Sequence, residues 1–157
     1  MPRQHHYSAQ IKWTGNKGNG TENYRAYERS HTISIENKVD ILATSDPAFR
    51  GDKTKHNPEE LLVASLSGCH MLWYLHLCAE AGVIVLEYTD KAVGIMQETA
   101  DGGGHFVEVT LNPEILVSNE SMRSKANELH HKANELCFIA RSVNFPVKHF
   151  PNVIAKE

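Results

Sequence analysis

Positive charge is in short supply: 16 Lys and Arg against 19 Asp and Glu leave a formal charge of −3. A chain of that sign lacks the basic footprint of a nucleic-acid binder. Cysteine is scarce and its count is odd, so the three thiols cannot form a fully paired disulfide framework within one chain. That absence predicts a reducing, cytoplasmic setting. The opening residues, MPRQHHYSAQ, carry no apolar segment and predict no secretory leader. No repeat and no interdomain linker interrupts the chain. With 41% hydrophobic and 22% charged residues, disordered, collagen-like and low-complexity classes are excluded. The 157 residues therefore predict one ordinary domain, 1–157.

From Leu61 to Ala79 the chain holds no formal charge with histidine neutral, a run long enough to suggest a membrane span. Ser65, Ser67, His70 and His76 interrupt it, and Glu59, Glu60 and Glu80 flank it. The expectation is instead a helix buried at the centre of a soluble protein, apolar on nearly every face. Its ends are well marked. Asn57 suits the N-cap, Pro58 the first helical position and Glu60 the reciprocal partner three residues on. Gly82 suits the left-handed position beyond the C-terminus. A helix over 58–81 is roughly 36 Å long, and a chain of this size has little material to cover every face of it.

Around that helix the pattern is mostly that of strands. Residues 7–14 and 24–35 read as strands, and Glu36-Asn37-Lys38 turns into a third where Val39, Ile41 and Ala43 recur at period two. Residues 45–56 are polar and contain Pro and Gly, the mark of a loop. Strands resume over 83–88 and 91–99, and Asp101-Gly102-Gly103-Gly104 turns the chain into 105–111. A second helix over about 121–137 carries an apolar stripe of Met122, Ala126, Leu129, Ala133 and Leu136. A strand-like tail covers 147–155. This order predicts an α+β fold with antiparallel sheet.

Cys69, Cys78 and Cys137 each fit a small buried hydrophobe, the usual state of a free thiol. Cys78, nine residues beyond Cys69, faces the opposite side of the helix. The ten histidines include His130-His131 near Cys137 and His70 beside Cys69. No CxxC or HxxxH spacing exists to build a four-ligand zinc site, so the expectation is no metal and histidines on solvated faces. In the loop before the helix, Arg50, Asp52, Lys53 and Lys55 fit either a solvated surface or a guanidinium serving a thiolate or a peroxide oxygen.

The run NPEELLVASLSGCH (57–70) resembles the first-cysteine motif of the OsmC/Ohr family, the osmotically inducible and organic-hydroperoxide-resistance proteins. ANELCFIARSV (133–143) resembles the second-cysteine region, and FRGDKTKHNPEEL the loop entering the helix. With the opening strands and Gly18-Asn19-Gly20, the resemblance spans nearly the whole chain. It implies an intertwined homodimer in which sheets from both chains wrap the central helices. It also implies a thiol peroxidase without cofactor, reducing an organic hydroperoxide and regenerated by a lipoyl-type dithiol. Cys69 matches the peroxidatic cysteine, Cys137 the resolving one, and Glu59 the catalytic carboxylate. Arg50 matches the family arginine of OsmC-type members, displaced by a residue or two; Arg25 or Arg29 is the Ohr-like alternative.

The residue types suit that chemistry. A nearby guanidinium favours the thiolate and then the departing alkoxide, and a second thiol condenses with the sulfenic acid. Leu66, Leu72 and Trp73 suit an organic peroxide better than H2O2. The remaining alternative is a non-catalytic dimer that binds an apolar ligand on the same scaffold. One geometric expectation follows for Glu59. Ten residues of straight helix set it roughly 15 Å and 80° from Cys69. Either the helix breaks near Ser67-Gly68, or the carboxylate beside Cys69 comes from a partner subunit.

Overall fold

The computed structural model describes residues 3–156, which divide into two compact units meeting between Leu61 and Leu62. In the first, β1 (Gln10–Trp13), β2 (His31–Ser34) and β3 (Ile41–Ala43) form an antiparallel sheet in the order β1-β2-β3, with Ile11 opposite Ile33 and Ile33 opposite Ile41. Asn37 takes the left-handed backbone (φ 61) that the turn between β2 and β3 requires. Every residue of β1 is exposed, whereas β2 is half-buried throughout and Ala43 of β3 is buried. Gly15 is fixed by crowding: a Cβ there would fall 1.9 Å from the carbonyl oxygen of Glu28.

Helix α1 (Pro58–Glu80) starts as the sequence predicts. The Glu60 amide donates to Asn57 Oδ1 at 2.8 Å, and the Asn57 amide donates to Glu60 Oε2 at 3.3 Å, a reciprocal capping box. At the other end Gly82 adopts φ 72 and the Val83 amide donates to the Cys78 carbonyl, closing the helix as a Schellman turn. The helix does not break: Ser67 and Gly68 lie within one continuous run. Of the two alternatives for Glu59, the break near Ser67-Gly68 is therefore removed. Gly68 costs helix propensity, but Leu66, His70 and Tyr74 on either side of it are buried, and their packing keeps the run helical.

The second unit holds two three-stranded sheets. One runs β4 (Val85–Asp90), β7 (Pro113–Val117), β9 (Asn152–Ala155); the other β5 (Val93–Glu98), β6 (Gly104–Leu111), β8 (Val147–His149). The pairs β4–β7 and β5–β6 are antiparallel, whereas β6–β8 and β7–β9 are parallel. The sheets are therefore mixed rather than antiparallel. The strand-like tail is two short strands, each returning alongside the antiparallel pair beside it. Helix α2 (Arg123–Leu136) follows a 3-10 turn at Glu120–Met122 and buries Ala126, Leu129, His130 and Ala133.

Two apolar clusters hold this unit together. Tyr74 and Cys78 of α1 pack with Ile115, Val117, Ala126, Ala133 and Val153. Leu66 packs with Val109 and Leu111, flanked by Val63, Phe106 and Ile139. By length and composition alone α1 is apolar enough to cross a membrane. Its residues Leu66, His70, Tyr74 and Cys78, spaced by four, instead form a buried stripe against these clusters.

Candidate functional site

Cys69 lies in the middle of α1, half-buried, beside the buried stripe. Cys137 is the C-cap of α2, where the backbone turns extended (φ −63, ψ 114) and the side chain is buried. Its Sγ accepts a hydrogen bond from the Ala140 amide at 3.4 Å, and its carbonyl accepts one from the Arg141 amide at 3.0 Å. This tight turn sets the thiol near Cys69 of α1. Burial first, and then the neighbouring Cys69 thiol, push the Cys137 thiol up to about 11. All three cysteines are free thiols. Cys78 stays apart in the core, its thiol also raised by burial.

Aromatic residues lie close to both cysteines along the chain. Trp73, one turn beyond Cys69, packs edge to face on Phe138, the residue after Cys137, with ring centroids 5.5 Å apart. Leu72 is 65% exposed, so the face of α1 near Cys69 presents apolar surface.

The first unit carries the charged candidates. A hollow of about 320 Å³ is lined by Trp13, Tyr27, Phe49, Arg29, His31 and Glu59, among others. Glu59 Oε2 is buried there without a hydrogen-bond partner, an arrangement with a real desolvation cost. Arg29 is clamped. Its Nη1 donates to the Tyr27 carbonyl at 2.7 Å and its Nη2 to the Tyr24 carbonyl at 2.8 Å. The guanidinium carbon stands 4.2 Å from the centroids of both tyrosine rings.

Arg50 sits elsewhere. It closes the 3-10 turn Pro47–Phe49 in the left-handed region (φ 67), a turn started by Asp46 accepting from the Ala48 amide. Its side chain is exposed, lies 6.0 Å from the Tyr24 ring and lines a neighbouring hollow with Lys17, Asp52 and Arg29. Arg25 is exposed. Of the three arginines, Arg29 is the one that shares the Glu59 hollow.

Sequence reasoning missed a group of histidines. His70 and His130 are not on solvated faces but fully buried, at 1% and 0% exposure. His70 Nε2 and His130 Nδ1 lie 3.0 Å apart, and Tyr74 stacks on His130 with centroids 3.8 Å apart. The half-buried His149 ring lies 5.6 Å from His70. Their signal was present as spacing: His70 falls in the every-fourth stripe of α1, and His130 beside Leu129 between Ala126 and Ala133. Among the described residues, no group of three or more His, Cys, Asp or Glu is arranged to hold a metal ion.

The family model of the OsmC-like protein matches residues 51–149, which include Cys69, Cys137, Glu59, His70 and His130. The chain belongs to the OsmC-like family. An OsmC-like protein of unknown function from Vibrio cholerae O1 biovar eltor shares 32% identity and superposes with a TM-score of 0.85, covering 95% of this chain and 100% of its own. An organic hydroperoxide resistance protein from Elizabethkingia anophelis shares 19% identity at a TM-score of 0.70, covering 99% and 100%. One from Legionella pneumophila, named as a predicted redox protein, shares 16% at 0.67, covering 96% and 98%. These last two, at such identities, establish the fold. No curated protein matches this OsmC-like chain.

Proposed function

We propose that this OsmC-like protein is a thiol-dependent peroxidase that reduces organic hydroperoxides to alcohols with two cysteines, working as one 1–157 domain in the cytoplasm. The observation that carries the proposal is the nearness of the Cys69 and Cys137 thiols, 68 positions apart in sequence yet close enough for Cys69 to raise the Cys137 thiol. The names of the Elizabethkingia and Legionella structures point the same way.

In this reading the Cys69 thiolate attacks the peroxide oxygen of ROOH. The O–O bond breaks, the sulfur becomes a sulfenic acid, and the alkoxide takes a proton to leave as ROH. The Cys137 thiol, kept protonated by burial, then condenses with the sulfenic acid, releasing water and forming the 69–137 disulfide. A dithiol of lipoyl type restores both thiols by exchange. Trp73, Phe138 and Leu72 offer the peroxide an apolar wall.

Glu59 enters from a second copy. Along unbroken α1 it is about 15 Å from its own Cys69, so a carboxylate beside Cys69 comes from the partner in an intertwined homodimer. Arg29, which lines the hollow of Glu59 and is held by two carbonyls and two tyrosine rings, is the better-placed guanidinium to steady the thiolate and the alkoxide; Arg50 is the alternative. A second copy also accounts for a β1 with no covered residue and for an exposed Leu72 on the central helix.

The test is peroxide consumption with cumene hydroperoxide and H2O2, using dihydrolipoamide and dithiothreitol as reductants. The expected result is faster turnover with the organic peroxide, together with loss of two thiols per chain. Protein that leaves both peroxides untouched refutes the proposal.

A further inference from the structure

We propose that His70 and His130 are positioning residues that fix the setting of α2, and so of Cys137 at its end, relative to Cys69 on α1, so that their bond sets how readily a disulfide closes between these cysteines. The functional meaning of that closure rests on the two-cysteine peroxidase reading; the positioning itself does not.

The two histidines stand where leverage on the thiols is greatest. His70 follows Cys69 directly on α1, so an anchor on its ring fixes both the height and the rotation of the helix at Cys69. His130 precedes Cys137 by seven residues, about two turns, and so lies on nearly the same face of α2 as the turn that carries Cys137. The contact between His70 Nε2 and His130 Nδ1 at 3.0 Å is, among the described residues, the one side-chain hydrogen bond between α1 and α2. The ring planes lie within 9° of each other, and Tyr74 stacks on His130. The pair is thus fixed in orientation as well as in distance.

A purely structural role explains this arrangement poorly. The outer nitrogens, His70 Nδ1 and His130 Nε2, are buried without partners. An apolar pair of similar volume would fill the space with no orphaned polar atom. What two leucines cannot supply is a directional bond that admits one relative setting of the helices. A disulfide needs such a setting, since its Cα atoms must come within about 7 Å with matched Cβ vectors. Misplacement of reacting groups by about 1 Å can lower a rate on the order of 100-fold.

The experiment reads the thiol pair without peroxide. Full-length protein is equilibrated with oxidised and reduced dithiothreitol, where two protein thiols give up two hydrogens to the oxidised reagent. The disulfide fraction gives the effective molarity of Cys69 and Cys137. His130→Leu and His70→Leu should each lower it about tenfold, and the double variant no further, because one bond is lost in all three. His130→Asn, whose amide reaches the Nδ1 position, should recover to within about threefold, while His130→Gln, which overshoots, should not. The sulfenic acid formed by cumene hydroperoxide, trapped with dimedone, should live longer in the leucine variants, with the first oxidation step unchanged. Folded leucine variants with wild-type effective molarity overturn the proposal. Where leucine prevents folding, equal behaviour of the Asn and Gln variants overturns it. A wild type inert to peroxide defeats the peroxidase reading alone, because the dithiothreitol equilibrium still judges the pair.

Discussion

The imidazoles of His70 and His130 meet at 3.0 Å, Nε2 to Nδ1, in an interior that exposes neither ring. Burial, with the neighbouring His149 adding to it, lowers His70 to about 4. Burial, with His70 and His149 adding to it, lowers His130 to about 3. Both rings are therefore neutral at pH 7 and resist protonation while the protein is folded.

Stability should then depend on pH in a defined direction. Unfolded, each histidine titrates near 6.5; folded, each takes a proton only near 3 to 4. The unfolded state binds more protons between those limits, so the contribution is full above pH 6.5 and is lost as the pH falls toward 4. At about 1.4 kcal/mol per pKa unit, the loss amounts to several kcal/mol. The groups facing the pair are His149 from β8 and Tyr74 from α1, and the Tyr74 hydroxyl, itself raised by burial, stays neutral across this range. Urea midpoints measured from pH 7.5 to 4.5 should fall steadily, and the His70→Leu/His130→Leu double variant should flatten the curve. A midpoint indifferent to pH in the wild type would contradict the burial of these rings.

Gly94 in β5 faces Val63 of α1. A Cβ added there would lie 2.6 Å from Val63 Cγ2 and 2.7 Å from Phe106 Cε1. Gly94→Ala should destabilise by about 1–3 kcal/mol, the usual result of overpacking. Val63→Ala, costly alone, should be less costly with Gly94→Ala present. Chemical denaturation of the four-variant cycle checks this, and additive effects would show that the two sites do not touch.

What was legible in the sequence was local. Asn57-Pro58-x-Glu60 announces the start of α1 because both partners of the capping box lie within one turn, and Gly82 announces its end in the same way. The parallel pairings of β8 and β9 were not legible, since Val147 meets Val109 and Val153 meets Ile115 across dozens of residues. The buried histidines were hidden by their chemistry. An imidazole is ordinarily solvated, and only its place among Leu66, Tyr74 and Cys78 marks His70 as core. The arginine question has the same root: Arg50 lies near α1 in sequence, but Arg29 is the one that tertiary structure brings into the hollow of Glu59.

The chain should be an obligate homodimer. Ile11 and Leu42 are each 61% exposed in the first sheet, too much apolar surface for a small sheet to leave in water. Sedimentation at micromolar concentration should show a single species of twice the 17.6 kDa chain mass. Leu72→Glu should weaken the association. A stable folded monomer would remove the partner-supplied Glu59 along with the dimer.

Arg29→Ala should slow the peroxide step more than Arg50→Ala. A hydrogen bond to a charged group contributes about 1.5–3 kcal/mol, a rate loss on the order of 10- to 100-fold. Arg29→Lys should recover only part of this, because an ammonium cannot reproduce the fork that spans the Tyr24 and Tyr27 carbonyls. Stopped-flow oxidation of Cys69 by cumene hydroperoxide decides it. A deficit in Arg50→Ala but not in Arg29→Ala would move the guanidinium role to the 3-10 turn.

The two cysteines should separate by role. Cys69→Ser should abolish peroxide consumption, because a hydroxyl near neutral pH supplies almost no anionic nucleophile. Cys137→Ser leaves Cys69 intact and should keep the first step. Its sulfenic acid then lacks the neighbouring thiol, so it should persist, or pass to sulfinic acid under excess peroxide. Turnover with a dithiol should fall without vanishing, since an external thiol can resolve the sulfenic acid slowly. Cys78→Ser should stay active, its site being in the apolar cluster with Tyr74 and Ile115, and should lose some stability from a hydroxyl in that core. Intact mass after one equivalent of cumene hydroperoxide distinguishes these outcomes. Wild type should lose two hydrogens, and Cys137→Ser should gain one oxygen. A disulfide that includes Cys78, or an unmodified Cys69 in active protein, would overturn the assignment, because the fold keeps Cys78 away from the thiol pair and leaves Cys69 as its more accessible member.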